Sequence, residues 1–215
     1  MILDETADIK YVAQNICMTK TYNNGQVCGS ANYVFVPAAK RTELVEEISK
    51  FYLENFYEDG VFQQERVGKM VNEQNFDRVL GYLTDAAEKG ATIAFGGSHD
   101  KGKLMIEPTV LTGVRLDSEI MNNEIFGPVI PIIAYDRVEE VIDYVNDGGK
   151  PLYMFIFSVD DAFVDEILSN TSTGNVTINN FGLNNFENEL PFGGVNESGI
   201  GVYHGIHGFR ELSNA

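Results

Sequence analysis

Two cysteines are the side chains best suited to nucleophilic chemistry, and their sequence surroundings differ. Cys28 lies in the run Gly25-Gln26-Val27-Cys28-Gly29, where glycines let a substrate approach the backbone and let amide hydrogens face a developing negative charge. Cys17 lies inside an apolar helical pattern. Free backbone donors lower the pKa of a thiol, so the sequence predicts Cys28 as the nucleophile and Cys17 as a packed side chain. The alternative for Cys28 is also packing, since free cysteines are most often small buried apolar residues.

An acidic and aromatic segment is the second candidate site. Glu124 and Phe126 lie in the run Asn123-Glu124-Ile125-Phe126-Gly127-Pro128-Val129, on a predicted loop before a buried strand. A charged group and an aromatic ring on a loop can hold a ligand between them. The alternative for Glu124 is an ordinary solvated surface acid.

Histidines and late glycines give weaker signals. The histidines have no spacing to the cysteines that suits a structural zinc site or a Cys-His protease pair, so no metal is predicted; they are His99, His204 and His207. The glycines at 193, 194, 199 and 201 lack the G-x-G-x-x-G order and the lysine of a phosphate-binding loop. We expect these glycines to form turns.

The elements that must position these residues follow from hydrophobic spacing. Helices are predicted from Thr6, as N-cap, to the stop at 23–25, and over residues 44–52 and 76–87. Strands are predicted over 31–36, 91–95 and 104–111. Strands and helices then alternate: the strands span 129–135, 152–158 and 175–179, and the helices span 138–145 and 162–168. A shaped loop is expected over residues 190–205.

This order indicates the fold class. Alternating strands and helices favour an α/β fold, with a mostly parallel sheet and flanking helices. No repeat, low-complexity tract or linker separates two domains, so a single domain is expected.

Charge and composition exclude several classes of function. The formal charge of −17, from 32 acidic against 15 basic residues, repels phosphate backbones, so nucleic acid is not an expected partner. No segment approaches the ~20 apolar residues that span a bilayer. The first five residues lack the pattern of an export signal, and two cysteines fit a reducing compartment, so a cytoplasmic location is expected.

Three motifs, in this order, resemble the aldehyde dehydrogenase superfamily. The run Asn24-Gly25-Gln26-Val27-Cys28 is similar to its nucleophile motif, and residues 123–129 are similar to the motif that positions the nicotinamide ribose. The run Leu190-Pro191-Phe192-Gly193-Gly194, with Ser198-Gly199, is similar to its late glycine-rich loop. The resemblance covers nearly the whole chain and implies the aldehyde dehydrogenase type of catalytic domain.

The resemblance implies a two-stage mechanism and a cofactor, NAD or NADP. Cys28 would attack the aldehyde carbon, its backbone N–H would help to hold the oxyanion, and Glu124 and Phe126 would orient the nicotinamide riboside. Loss of a hydride would leave a thioester on Cys28, which a base-activated water would hydrolyse to the carboxylic acid. The small-molecule partner is therefore an aldehyde.

Finer resemblances concern the substrate. Residues 149–152 and 202–205 are similar to the branch that acts on medium- or long-chain and aromatic aldehydes. Asn179 and His204 resemble positions near the substrate pocket of that branch. Both side chains could equally form hydrogen bonds with the backbone of a neighbouring loop.

The resemblance also concerns what lies upstream in the family. Residues 1–215 correspond to the catalytic domain without the N-terminal dinucleotide-binding domain, which carries the general-base glutamate and an oxyanion-hole asparagine. Losing a general base costs about 10²–10⁴ in rate, so we expect the chain alone to be inactive. A separate cofactor-binding chain is a candidate partner. Homo-oligomer formation stays open, because the family's intersubunit strand lies near the point where this chain ends.

Two other functions remain open on the residues alone. A stand-alone cysteine hydrolase would use Cys28 on activated esters or thioesters without nicotinamide, but it needs a base that the sequence does not reveal. A non-catalytic assembly or interaction module would use the apolar surface that a missing half would cover.

Overall fold

The computed structural model describes residues 1–213, and its five helices of ten or more residues are the five that the sequence predicts. The helices are α1 (Ile9–Thr21), α2 (Arg41–Phe56), α3 (Glu73–Glu88), α4 (Glu119–Asn122), α5 (Val138–Asp147), α6 (Asp161–Asn170), α7 (Leu183–Phe186) and α8 (Gly205–Glu211).

The strands are short, and several form small hairpins. They are β1 (Ile2–Leu3), β2 (Val34–Pro37), β3 (Tyr57–Glu58), β4 (Val61–Phe62), β5 (Thr92–Phe95), β6 (His99–Asp100), β7 (Met105–Ile106), β8 (Thr109–Thr112), β9 (Val129–Tyr135), β10 (Tyr153–Phe157) and β11 (Asn175–Ile178).

The chain forms two compact units. Unit 1 contains residues 1–7 and the chain from Tyr135 onward, and unit 2 contains residues 8–134. The prediction of one catalytic-type domain over residues 1–215 stays a prediction.

Unit 1 is built on parallel strands in the order β11-β10-β1. The register pairs Tyr153 with Asn175 and Ile2 with Ile156. Helix α6 begins after Asp160, whose carboxylate accepts a hydrogen bond from the Ala162 N–H at 2.9 Å. The parallel strands require helical crossovers, which explains the strict alternation of strand and helix in this part of the sequence.

Unit 2 carries strands in the order β2-β9-β8-β5. Strands β8 and β9 are parallel, and β5 is antiparallel to β8. Six of the seven residues of β9 are buried, as expected of a strand covered on both faces. The prediction of an α/β fold with a mostly parallel sheet is therefore confirmed.

Helix α1 leads directly to the cysteine-bearing turn, and its packing sets where that turn begins. Its buried face repeats at helical spacing and packs on α2; it contains Ile9, Val12, Ala13, Ile16, Cys17 and Lys20. The predicted N-cap at Thr6 is wrong: the Asp8 carboxylate accepts from the Tyr11 N–H at 3.1 Å, whereas the Thr6 hydroxyl donates to Asp4 at 2.7 Å. Asp8 directly precedes the helix, so its carboxylate is close enough to accept from a free N–H of the first turn.

Two predicted boundaries differ for local reasons. The strand predicted over 104–111 is divided into β7 and β8, since Pro108 has no N–H for strand pairing. The loop expected over 190–205 is followed at once by α8, which the glycine-rich sequence did not predict. No helix among the described residues has both the length and the apolar character needed to cross a bilayer.

We predict that the α1–α2 contact is a main source of stability in unit 2. Ile16 is fully buried, so Ile16→Ala should lower the free energy of unfolding by about 2–4 kcal/mol. Met18 lies on the same helix but is 60% exposed, so Met18→Ala should change it by less than about 0.5 kcal/mol. Urea denaturation followed by circular dichroism measures both, and equal effects would contradict the assigned burial.

Candidate functional site

Cys28 lies on an exposed turn between α1 and β2. We call residues 22–30 the cysteine turn. It begins with a 3-10 turn, Tyr22–Gly25, in which Asn23 and Asn24 have positive φ values of 49° and 54°. The Ser30 N–H then donates to the Val27 carbonyl at 2.9 Å. The turn exposes the Cys28 thiol, as a nucleophile requires.

Cys17 has the opposite environment. It is fully buried in α1, and its Sγ lies 3.9 Å from the Ile48 carbonyl oxygen of α2. Burial raises the pKa of the Cys17 thiol, which keeps it protonated and unreactive at neutral pH. The two cysteines are therefore chemically distinct.

Gln26 braces the cysteine turn, a role that the sequence did not reveal. Its side-chain amide donates to the Asn23 carbonyl at 3.0 Å and to the Lys69 carbonyl at 2.8 Å. Its side-chain oxygen accepts from the Val71 N–H at 2.9 Å. A buried amide that uses both its donor and acceptor groups fixes the backbone just before Cys28.

Glu124 and Phe126 lie on an irregular segment, residues 123–127, between α4 and β9. Glu124 is exposed, Phe126 is half-buried, and Ile125 between them is fully buried. Phe126 has a φ of 46°, the left-handed region that bulky residues rarely adopt. Ile125 anchors the segment in the core, so its neighbours face outward.

Two side chains hold the 123–127 segment from either side. Asn32, just after the cysteine turn, donates to the Asn123 carbonyl at 3.0 Å and accepts from the Ile125 N–H at 2.8 Å. Arg78 of α3 donates to the carbonyls of Glu124 and Ile125 at 3.0 and 2.9 Å. These contacts join residues that are far apart in sequence, so local patterns could not reveal them.

The structure brings the cysteine turn and the 123–127 segment into backbone contact. Gly25, with a φ of +73°, lies so close to Gly127 that a Cβ atom at Gly25 would be 2.3 Å from the Gly127 carbonyl oxygen. Only a glycine allows this approach. The predicted nucleophile and the predicted cofactor-positioning residues therefore belong to one packed cluster of unit 2.

Lys20 contacts the same carbonyl from the end of α1. Its side chain is 1% exposed, and its Nζ donates to the Gly127 carbonyl oxygen at 3.3 Å. Burial lowers the pKa of Lys20 to about 7, and the negative charge of Glu124 partly offsets that decrease. Lys20 fits the buried face of α1 by spacing alone, so the sequence does not reveal this contact.

Asn179 lies in unit 1, at the end of β11. It is exposed, with a φ of 52°, and its side-chain amide donates to the Ser158 carbonyl at 2.7 Å. Its side-chain oxygen accepts from the Ser158 N–H at 2.9 Å. The side-chain amide of Asn179 thus forms hydrogen bonds with the loop backbone at Ser158, which is one of the two roles predicted for it.

His204 also lies in unit 1, just before α8. Its ring is half-buried, stacks on Phe192 at 5.8 Å between centroids, and has Nδ1 3.2 Å from the Leu190 carbonyl oxygen. A backbone bridge between Phe192 and Tyr203 closes the glycine-rich loop beneath it. The histidine is thereby fixed by ring stacking and one polar contact.

A cleft of about 420 Å³ lies beside this loop in unit 1. It is lined by β11 and by the start of the loop, namely Gly174, Asn175, Val176, Thr177, Ile178, Leu190 and Pro191. Its lining ends one residue before Asn179, so it adjoins the predicted pocket residues without including them. Among residues 1–213, no cluster of three or more His, Cys, Asp or Glu side chains could hold a metal ion.

The chain matches a family described as the aldehyde dehydrogenase family over residues 1–215. It is 38% identical over 214 residues to an aldehyde dehydrogenase of Craterostigma plantagineum, a match that covers 99% of this chain and 44% of that protein. It is 37% identical over 214 residues to 4,4'-diaponeurosporen-aldehyde dehydrogenase of Staphylococcus aureus, covering 100% of this chain and 46% of that protein. The chain thus spans about half the length of these relatives.

A solved structure shares the architecture. The substrate-bound state of Staphylococcus aureus AldH superposes with a TM-score of 0.89 and 36% identity. The match covers 97% of this chain and 45% of that chain.

We predict that the contact between Gly25 and Gly127 leaves no room for a methyl group at position 25. Gly25→Ala adds a backbone clash to the cost of a positive φ, so it should lower the free energy of unfolding by about 3 kcal/mol or more. Gly60 has a φ of +77° with nothing within 4 Å, so Gly60→Ala should cost only about 1 kcal/mol. Chemical denaturation gives the difference, and equal costs would contradict the close approach.

We also predict a pH-dependent stability caused by Lys20. The unfolded chain keeps the Lys20 proton up to about pH 10.4, whereas the folded chain loses it above about pH 7. The unfolded chain therefore binds more protons in this range, so stability should rise with pH, by about 1.5 kcal/mol between pH 7 and 8.5.

The Lys20→Met variant should lack this rise. The measurement is chemical denaturation at several pH values up to 8.5, because the Cys17 thiol of the unfolded chain is about half ionised near that pH and increasingly so above it. A rise of the same size in Lys20→Met would assign it to another group.

Proposed function

Because this chain belongs to the aldehyde dehydrogenase family, we propose that it is the cysteine-bearing part of an enzyme that oxidises aldehydes to carboxylic acids with NAD or NADP. The observation that carries the proposal is the packed cluster of unit 2. An exposed thiol on the cysteine turn and an acidic, aromatic segment are held together through the contact of Gly25 with Gly127.

In the proposed reaction Cys28 is the nucleophile. Its thiolate adds to the aldehyde carbon and forms a C–S bond, while the carbonyl π electrons move to the oxygen and give an oxyanion. The backbone N–H of Cys28 is suited to donate to that oxyanion, since free amide donors in a turn stabilise developing negative charge. The braced backbone at Gln26 keeps this donor in place without reorganisation.

The oxyanion then collapses, and the C–H electron pair leaves as hydride. The nicotinamide ring supplies the hydride acceptor when the cofactor is bound. A thioester stays on Cys28, and attack by water releases the carboxylic acid and regenerates the thiolate.

Glu124 and Phe126 have the chemistry to hold the nicotinamide riboside. The Glu124 carboxylate is exposed, so its oxygens are accessible to ribose hydroxyls. The half-buried Phe126 ring offers an apolar face beside it. Asn32 and Arg78 hold the backbone at Asn123, Glu124 and Ile125, so the segment is preorganised for a ligand.

Asn179 and His204 are proposed to lie near the aldehyde. Each is fixed by neighbouring backbone, and the aromatic side chains beside His204 offer apolar surface to a medium-chain, long-chain or aromatic aldehyde. One relative, from Staphylococcus aureus, is named 4,4'-diaponeurosporen-aldehyde dehydrogenase, which supports an aldehyde as the substrate class. The choice between NAD and NADP depends on cofactor contacts made by residues outside these motifs.

An ester assay tests the nucleophile without any cofactor. With a 4-nitrophenyl ester of a short carboxylic acid, the chain should release a burst of about one equivalent of 4-nitrophenolate as Cys28 becomes acylated. Cys28→Ser should abolish the burst and Cys17→Ser should keep it, because the Cys17 thiol is buried. Equal bursts from the wild type and Cys28→Ser would refute the assignment.

The same assay and a nicotinamide assay separate the competing functions. Steady ester turnover far beyond one equivalent would favour the stand-alone cysteine hydrolase. With NAD or NADP and an aromatic aldehyde, we expect no reduction by these residues alone, because they correspond to the family's catalytic domain without its dinucleotide-binding domain. Cysteine-dependent reduction would show that the chain suffices for the whole reaction.

A further inference from the structure

Lys20 is an unusual residue to find in the core of unit 2. Lysine is almost never fully buried unless it is paired, since removing an ammonium group from water is costly. Lys20 is nevertheless 1% exposed, and the hydrogen bond that its Nζ makes in the described structure is to the Gly127 carbonyl. An apolar side chain would fill the same space on α1 at lower cost.

The carbonyl that Lys20 contacts is at the centre of the candidate site. Gly127 follows Phe126, whose positive φ needs support from its surroundings. The same carbonyl oxygen is in close contact with Gly25 of the cysteine turn. A hydrogen bond from a charged donor to this oxygen is about twice as strong as a neutral one, so it would hold both segments more firmly.

We propose that Lys20 is a positioning residue whose amine holds the Gly127 carbonyl, and thereby fixes the 123–127 segment against the cysteine turn in a manner that depends on its protonation. The proposal rests on the proposed function only in regarding these two segments as the reactive site. Lys20 acts through the backbone, so it takes no part in the chemical step.

The charged and titratable groups around Lys20 have separable effects. Glu124 attracts the ammonium form of Lys20 and so favours protonation of its amine. Arg78 contacts the backbone of the 123–127 segment from α3. Cys17, one turn earlier on α1, and Tyr52 of α2 both have pKa values raised by burial, so both stay neutral near pH 7. Among Cys17, Tyr52 and Lys20, Lys20 is therefore the group that changes charge in that range.

Two carbonyl groups report directly on this arrangement. The sequence contains one Gly-Pro pair, Gly127-Pro128, and one Gly-Gln pair, Gly25-Gln26. Protein made with carbonyl-¹³C glycine, ¹⁵N proline and ¹⁵N glutamine should therefore give one carbonyl–nitrogen correlation peak for each pair. The two peaks follow the carbonyls of the 123–127 segment and of the cysteine turn separately.

The test is a pH titration of these two peaks from 6 to 8.5. In the wild type both peaks should shift with a common midpoint near pH 7, which matches the lowered pKa of Lys20. In Lys20→Met neither peak should titrate. Lys10→Met is the matched control, because Lys10 is exposed on the same helix, and it should titrate as the wild type does.

A second variant tests the proposal without changing the core. Glu124→Gln removes the attraction that favours the ammonium form, so both midpoints should move to lower pH. The proposal is overturned if neither peak titrates in the wild type, if the titration survives in Lys20→Met, or if Glu124→Gln leaves the midpoint unchanged. A shift at Gly127 without one at Gly25 would refute the coupling of the two segments. None of these outcomes depends on turnover, so the ester burst from Cys28 tests the proposed function independently.

Discussion

The Gly127 carbonyl is the group on which the candidate site depends. Its oxygen lies against the backbone of Gly25 on the cysteine turn and accepts from the buried amine of Lys20 at 3.3 Å. Through these contacts the end of α1, the cysteine turn and the 123–127 segment meet at one atom. The positions of Cys28, Glu124 and Phe126 relative to one another follow from this meeting.

This arrangement is costly for the fold. The buried Lys20 reduces stability relative to an apolar side chain in the core. The positive φ values at Asn23, Asn24 and Phe126 reduce it relative to an ordinary turn. The compensation comes from structure around them. Ile125 is fully buried, and Asn32 and Arg78 hold the backbone on either side of it. A local loss of stability of this kind is typical of functional sites, where activity requires a particular geometry.

Three side-chain amides, in both units, form hydrogen bonds with the backbone of neighbouring loops. Gln26 and Asn32 in unit 2, and Asn179 in unit 1, each use an amide group to pair with both a donor and an acceptor of a neighbouring loop. Irregular loops cannot satisfy their own peptide groups as helices and strands do, so side-chain amides take that role. Asn179 thereby fixes the loop backbone at Ser158.

The sequence alone determined the class of fold, the order of the main helices and strands, and the difference between Cys17 and Cys28. Periodicity and glycine placement are local properties, so spacing was enough to place Cys17 on a buried helical face and Cys28 on an exposed turn. The three motifs, taken together, were enough to indicate the family.

Tertiary structure alone decided which distant residues hold the site. The pairing of Gly25 with Gly127, and the contacts of Lys20, Asn32 and Arg78 with the 123–127 segment, join positions 46 to 107 residues apart. Local competition also moved the N-cap of α1 from Thr6 to Asp8. Spacing within one element carries no information about which distant carbonyl a buried lysine will meet, because that choice is made only when the elements pack.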